Sequence, residues 1–260
     1  MTIFHSIILG FIEGVTEFLP ISSTGHLLLA TKLLGIAQSD FAKSFDIIIQ
    51  LGAIGAVIVL YWKTLWRIET IKKLIVAFIP TGIIGLLLYK IVKTYLLGNE
   101  RVVLWALLLG GIILIVFEYL HIRQNTETTI SDAPDTSVIS YKHAFLIGLF
   151  QSIAIIPGVS RSAATIVGGR MLGLSRSTIV TFSFLLAVPT MLAASALDII
   201  KHHDAFSVGQ AGVIGIGFIV SFVVALVVIR YLLGYIRRHD FSVFGWYRIV
   251  LALLFWAFIL

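Results

Sequence analysis

Six apolar runs, at positions 45–62, 74–92, 102–120, 179–200, 211–229 and 249–260, restrict this chain to folds that a lipid bilayer can hold. Crossing about 30 Å of hydrocarbon takes roughly 20 helical residues, and most of these runs reach that length. The last does so when 244–247 extend it. Period alone does not separate a buried strand from a helix in such stretches. Lipid does: an open sheet leaves backbone groups unpaired there and a barrel shows strict alternation, so helices are expected. Only 12% of the residues are charged and 59% are hydrophobic, with a mean hydropathy of +1.05. Soluble domains average about 25% charged residues. The chain reads as an all-α polytopic integral membrane protein.

The run 3–12 is too short to cross before Glu13 interrupts it, and no Lys or Arg precedes it. It is therefore not read as a cleaved signal peptide. The net charge of +6 comes from basic residues scattered singly and in short loops, which the positive-inside rule explains without nucleic acid. Lys63, Arg67, Lys72 and Lys73 form one such loop and Arg230, Arg237 and Arg238 another; both are expected in the cytoplasm. Parity then places 93–101 and 201–207 outside and the polar stretch 124–140 inside. Trp62, Trp66, Trp246 and Trp256 suit interfacial anchors. There are no cysteines, so thiol chemistry is excluded.

A shift of 138 positions lays Gly10-Phe11-Ile12-Glu13 over Gly148-Leu149-Phe150-Gln151, and Ser22-Ser23-Thr24 over Ser160-Arg161-Ser162. Each half begins with a short apolar helix, breaks at a proline and continues through a Ser-rich segment. The expected organisation is one transmembrane domain, 1–260, with repeat one at about 3–120, repeat two at about 141–260 and a polar loop at about 121–143 between them. Broken segments at corresponding places in two halves point to a midplane site in an inverted-topology repeat. Both are read as re-entrant helical hairpins, the first entering from outside and the second from inside, with tips meeting near the bilayer midplane.

The first cluster holds Glu13 and Glu17, one helical turn apart, and runs into Pro20-Ile21-Ser22-Ser23-Thr24-Gly25-His26. A charge at bilayer depth costs about 2.5–3.5 kcal/mol on insertion scales, so an intramembrane acidic pair is a functional candidate. Cβ atoms at that spacing lie about 6 Å apart. Two bare charges there repel by roughly 3 kcal/mol at an effective dielectric of 20. A shared proton, a divalent cation or a nearby arginine would compensate. Ser22-Ser23-Thr24 suits the N-terminal cap of the next helix, where free amides favour an anion, phosphate above all. His26 lies in that first turn, and its company favours a functional over a structural histidine.

The second cluster, Pro157-Gly158-Val159-Ser160-Arg161-Ser162, opens a helix that runs through Ala163 and Thr165 toward Arg170. Arginine in hydrocarbon needs an anionic partner, and its planar fork suits phosphate oxygens. A structural ion pair with Glu13 or Glu17 is the alternative, and it too would bring the clusters together. The combined inventory fits phosphoryl chemistry. No Walker loop, zinc-binding His-Glu-x-x-His helix or dinucleotide glycine fingerprint is present.

At these two clusters, and at Phe45-Asp46-Ile47-Ile48-Ile49-Gln50-Leu51-Gly52, the chain resembles the bacterial undecaprenyl-pyrophosphate phosphatases, also called bacitracin-resistance proteins. The resemblance covers almost the full length. It implies a multi-pass enzyme of the bacterial plasma membrane, its active site facing the outer side. Such an enzyme removes the terminal phosphate of undecaprenyl pyrophosphate, recycling the carrier for peptidoglycan and conferring bacitracin resistance. It further implies Glu13, Glu17, Ser23, His26 and Arg161 as catalytic groups, with Ser22, Thr24, Ser160 and Ser162 completing the phosphate cradle; the 138-position shift makes Gln151 the second-repeat counterpart of Glu13. Ala163 departs from the family, which usually has glycine there.

The expected mechanism is in-line attack on the outer phosphorus by Ser23 or a water, with Glu17 as base, Glu13 and Glu17 sharing a divalent cation (Mg2+ or Ca2+), and His26 protonating the leaving group. No organic cofactor is expected. The partners are the polyprenyl pyrophosphate lipid and the membrane, with a homodimer left open. A transporter or flippase of a phosphorylated polyprenyl lipid is the rival class, since broken helices at a midplane also build transporters. Asp46 and Gln50 stay outside the expected site as helix–helix contacts or supporting groups.

Overall fold

The structure, a computed structural model, describes residues 1–37, 39–124, 135–201 and 210–259. Most of the 124–140 and 201–207 loops lies outside the described residues. Among the described residues the chain is helical, with no strand. The helices are α1 (Ile3–Thr16), α2 (Ser23–Leu33), α3 (Asp40–Leu60), α4 (Trp62–Leu65), α5 (Ile68–Ile91) and α6 (Glu100–Gln124). They continue as α7 (Tyr141–Ser152), α8 (Arg161–Met171), α9 (Arg176–Lys201), α10 (Ala211–Ile236) and α11 (Ser242–Ile259).

Among the described residues four helical stretches are long and apolar enough to cross a bilayer: Ile68–Leu96, Glu100–Leu120, Arg176–Leu197 and Ala211–Ile236. The apolar parts of α1, α3 and α11 are shorter. Leu86, Leu87, Val227 and Tyr231 stand exposed on the long helices. In a polytopic membrane protein that exposure is toward lipid, and no soluble-domain argument about apolar patches applies to it.

Close packing uses small residues where backbones meet, the usual device when lipid removes the hydrophobic incentive for helices to associate. α1 packs on α10 and α3. A Cβ at Gly10 would fall on the Gly217 carbonyl of α10. α5 meets α7 in the same manner, with Gly148 against the Ala77 carbonyl. The largest core joins α3, α9 and α10 around Phe18, whose ring meets Phe184 edge-on at 5.1 Å and 77°.

The ends of the helices are tied by polar contacts. Ser6 of α1 donates to the Val213 carbonyl of α10 at 2.5 Å, and Lys32 of α2 pairs with Glu100 of α6. Elsewhere, the Tyr141 hydroxyl of α7 donates to Glu69 of α5 at 2.9 Å. The basic residues expected in one loop lie mostly on helices, Lys63 on α4 and Lys72 and Lys73 in the first turns of α5, and Lys73 donates to the carbonyls of Thr136 and Ser137, beside the segment leading into α7. Arg176 of α9 pairs with the buried Glu118 near the other end of α6, at 2.9 Å.

Candidate active site

Helix α1 stops at Thr16 and α2 starts at Ser23, because Pro20 offers no N–H to continue a helical ladder. The same interruption separates α7 from α8 around Pro157-Gly158. Ser22 and Ser160 cap the helices that follow, accepting from the amides of Gly25 at 3.3 Å and Ala163 at 3.2 Å. Both sit in left-handed backbone, with φ of 73° and 75°, and among the described residues they alone do so without being glycine. For an L-residue that conformation costs about 1–2 kcal/mol. The positions match under the 138-residue shift read from the sequence. Two strained serine caps thus aim two helix starts at one place.

That place is a cavity of about 160 Å3. Its walls include Glu17, Ser22, Ser23 and Thr24 from the first break, and Pro157, Gly158, Ser160 and Arg161 from the second. Gln50 of α3, Met191 of α9 and the apolar pair Ala154 and Ile156 complete it. Glu17 is the junction of the two sides. The Ser23 hydroxyl donates to its Oε2 at 2.5 Å, and the Arg161 guanidinium donates to its Oε1 at 3.2 Å. Arg161 is steadied by a second bond, to the Ser183 carbonyl of α9 at 2.7 Å. The Ser183 hydroxyl in turn meets Thr165 at 2.7 Å. Ser162, expected in the cradle, is not on the cavity wall: its hydroxyl lies 3.0 Å from Ser160 Oγ and donates to the Leu19 carbonyl at 2.8 Å, a second link between the breaks.

Three further residues expected at the site stand differently. Gln151 is buried and donates to the hydroxyls of Thr81 and Thr190, at 3.0 and 3.2 Å, so it ties α7 to α5 and α9. His26 is not on the cavity wall. Its Nδ1 lies 2.7 Å from the Ser22 carbonyl and its Nε2 2.7 Å from the Tyr247 hydroxyl. Glu13 is fully buried behind Glu17, and neither of its oxygens finds a hydrogen-bond donor.

The orphaned oxygens of Glu13 beside Glu17 fit a hard divalent cation, which favours carboxylate ligands completed by phosphate oxygens. No cluster of three or more His, Asp or Glu side chains placed to hold a metal occurs among the described residues. A cation here would therefore need oxygens from the substrate.

Sequence reasoning missed Ser183, Tyr247 and Arg248, and set Gln50 aside. Arg248 is the largest fully buried side chain. It left a readable signal, a lone arginine between the apolar runs 243–247 and 249–260, which the membrane cost of charge marks as meaningful. Ser183 left none, since it acts mainly through its backbone carbonyl.

The fold and site define a class: a helical membrane protein with a charged, hydroxyl-lined cavity where two broken helix pairs converge. The family described as "Bacitracin resistance protein BacA" matches residues 6–254, and this chain belongs to it. It is 49% identical to the undecaprenyl-diphosphatase of Aquifex aeolicus (strain VF5), with all of both chains covered. It is 47% identical to that of Sulfurihydrogenibium sp. (strain YO3AOP1), covering 98% of this chain and 99% of the relative. With that of Wolinella succinogenes the identity is 49%, over 98% and 97% of the two chains.

Proposed function

We propose that this chain is an undecaprenyl-diphosphatase, hydrolysing undecaprenyl pyrophosphate to the monophosphate carrier lipid. The observation that carries the chemistry is the doubly engaged Glu17, with a serine hydroxyl on one oxygen and an arginine on the other. Glu17 takes the Ser23 proton as Ser23 Oγ attacks the outer phosphorus in line. The bond from that phosphorus to the bridging oxygen breaks, and undecaprenyl phosphate leaves with the proton that Glu17 took, which returns Glu17 to a carboxylate. Water then attacks the phosphorus on Ser23; Glu17 takes the water's proton and hands it to Ser23 Oγ as the phosphorus–Oγ bond breaks and phosphate is released. General-base action supplies about 10²–10⁴-fold. Most of the remainder falls to charge stabilisation by Arg161 and the amides at the starts of α2 and α8. Thr24, Ser22 and Ser160 add hydroxyls to the cradle.

Glu13 and Glu17 would hold a divalent cation, Mg2+ or Ca2+, together with the substrate's own oxygens. When bound, that ion supplies neutralisation of the pyrophosphate charge.

The reading extends to inverted-topology repeats with two re-entrant hairpins. Its support is the way the outer ends of each broken pair are tied: α1 and α2 to the starts of α10 and α6, and α7 and α8–α9 to the start of α5 and the far end of α6. Each pair therefore enters and leaves at one end of the bundle. With the basic loops in the cytoplasm, the first pair opens to the outer face, where the pyrophosphate carrier is released by polymer synthesis.

The test is phosphate release from undecaprenyl pyrophosphate by the purified protein in detergent, with and without chelator. Glu17→Gln and Arg161→Ala are each expected to abolish most turnover while remaining folded, and chelation to suppress the wild type. Full turnover in both variants would overturn the site. Movement of the lipid across vesicle bilayers without phosphate release would support a transporter instead.

A further inference from the structure

Every backbone break in a bilayer frees carbonyl groups that water cannot reach, so something in the protein has to meet them. At the first break one of these is the Pro20 carbonyl, and at the second they are the carbonyls of Gly158 and Val159. All three are met by one side chain. Arg248 Nη1 donates to Pro20 at 3.3 Å and to Val159 at 3.0 Å, while Nη2 donates to Gly158 at 3.0 Å. The remaining donors go to α6, Nη2 to Ala106 at 2.9 Å and Nε to Leu107 at 3.3 Å. Such a guanidinium has no carboxylate partner; its work is on backbone.

Room for it is cleared by Gly110 of α6, where a Cβ would fall on the guanidinium. The residue just before it, Tyr247, serves the first break by another route. The Ser22 carbonyl can only accept, so His26 carries its proton on Nδ1 and donates to it. His26 Nε2 is then left to accept from the Tyr247 hydroxyl, and the two rings stack at 5.5 Å and 2°. The carbonyl so held belongs to the strained cap, Ser22.

We propose that Tyr247 and Arg248, consecutive on α11, are positioning residues that brace both serine turns, Tyr247 through His26, and thereby fix Ser23 and Arg161 at the two oxygens of Glu17. The proposal rests on the phosphatase reading above. It gives His26 a mechanical place in the reaction, since both ring nitrogens are committed to the brace and neither faces the cavity. It also explains why a membrane helix keeps an arginine with no anion to pair.

The full chain in detergent tests it with Arg248→Lys, Tyr247→Phe and Gly110→Ala. Lysine keeps the charge but cannot fork to both turns. Arg248→Lys and Gly110→Ala are expected to lower kcat for undecaprenyl pyrophosphate by about tenfold or more with little change in KM, as misplacement of reacting groups does. Amide exchange should accelerate in 20–26 and 157–163 together for these two variants, and in 20–26 alone for Tyr247→Phe. Wild-type kcat and wild-type protection of both turns in Arg248→Lys would overturn the proposal. A lowered melting temperature with unchanged kcat and unchanged turn protection would overturn it too, since that is the mark of packing alone. If the wild type releases no phosphate the phosphatase reading fails instead, and exchange at the two turns still decides the brace.

Discussion

Arg161 and Glu17, 144 positions apart in sequence, meet at 3.2 Å in a setting where each side chain is at most 11% exposed. Isolation of either charge there would be costly, because the partner left behind has little water to fall back on. The pair also leaves part of Arg161 uncommitted: its Nε has no partner.

Arg161→Lys separates charge from shape. Lysine cannot hold the Ser183 carbonyl and Glu17 at once while presenting a planar fork to phosphate. Phosphate release is expected to fall by about a hundredfold in kcat/KM, a loss of the size seen when one transition-state donor is removed. Steady-state kinetics alongside a thermal melt would check that the fold survives.

Ser22 and Ser160 should respond to glycine and alanine in opposite directions. Glycine relieves a left-handed strain of about 1–2 kcal/mol. It forfeits only a few tenths of a kcal/mol as a cap. Alanine keeps the strain and loses the cap, at about 1 kcal/mol. Ser22→Gly and Ser160→Gly are thus expected to melt at or above the wild-type temperature, and the alanine variants below it. Both pairs should bind inorganic phosphate less well, readable by inhibition of turnover.

Arg176→Ala strands Glu118, which is 1% exposed, on α6. A fully buried pair broken in this way costs about 3–5 kcal/mol; with Arg176 29% exposed and Arg170 close enough to act on the same carboxylate, the loss is expected below that range. Adding Glu118→Leu should recover part of that loss, because the uncompensated charge is then gone. The double-mutant comparison is read from detergent melting curves, and a double variant less stable than Arg176→Ala would contradict it.

Gly148→Ala drives a methyl into the Ala77 carbonyl and displaces the Thr81 hydroxyl that donates to the Gly148 carbonyl at 2.9 Å. Overpacking of this sort costs about 1–3 kcal/mol. The expected result is a lower melting temperature with kcat at 25 °C retained, since the α5–α7 contact lies away from the cavity.

Much of the site was readable because lipid makes charge conspicuous. Glu17, Ser23 and Arg161 stand out in apolar sequence, and the prolines beside them announce where helices must stop. The capping role of Ser22 lay within the expected run Ser22-Ser23-Thr24, whereas that of Ser160 and the positive φ of both were not read, since serine carries no sequence mark of that conformation. Gln151, matched to Glu13 by the sequence shift, gave no sign that two threonine hydroxyls on other helices would take its amide. His26 was readable as important and unreadable in direction, because Tyr247 reaches it from 221 positions away. Arg248 shows the clearest limit. Its charge was visible, yet its partners are main-chain carbonyls, and any residue could have supplied them.

The order of synthesis gives that arginine a further meaning. Among the described helices α11 is the last to emerge, so the Arg248 donors reach the carbonyls at 20, 158 and 159 only after every earlier helix has been made. On the brace proposed above, Glu17 and Arg161 become fixed against each other only when that last helix docks.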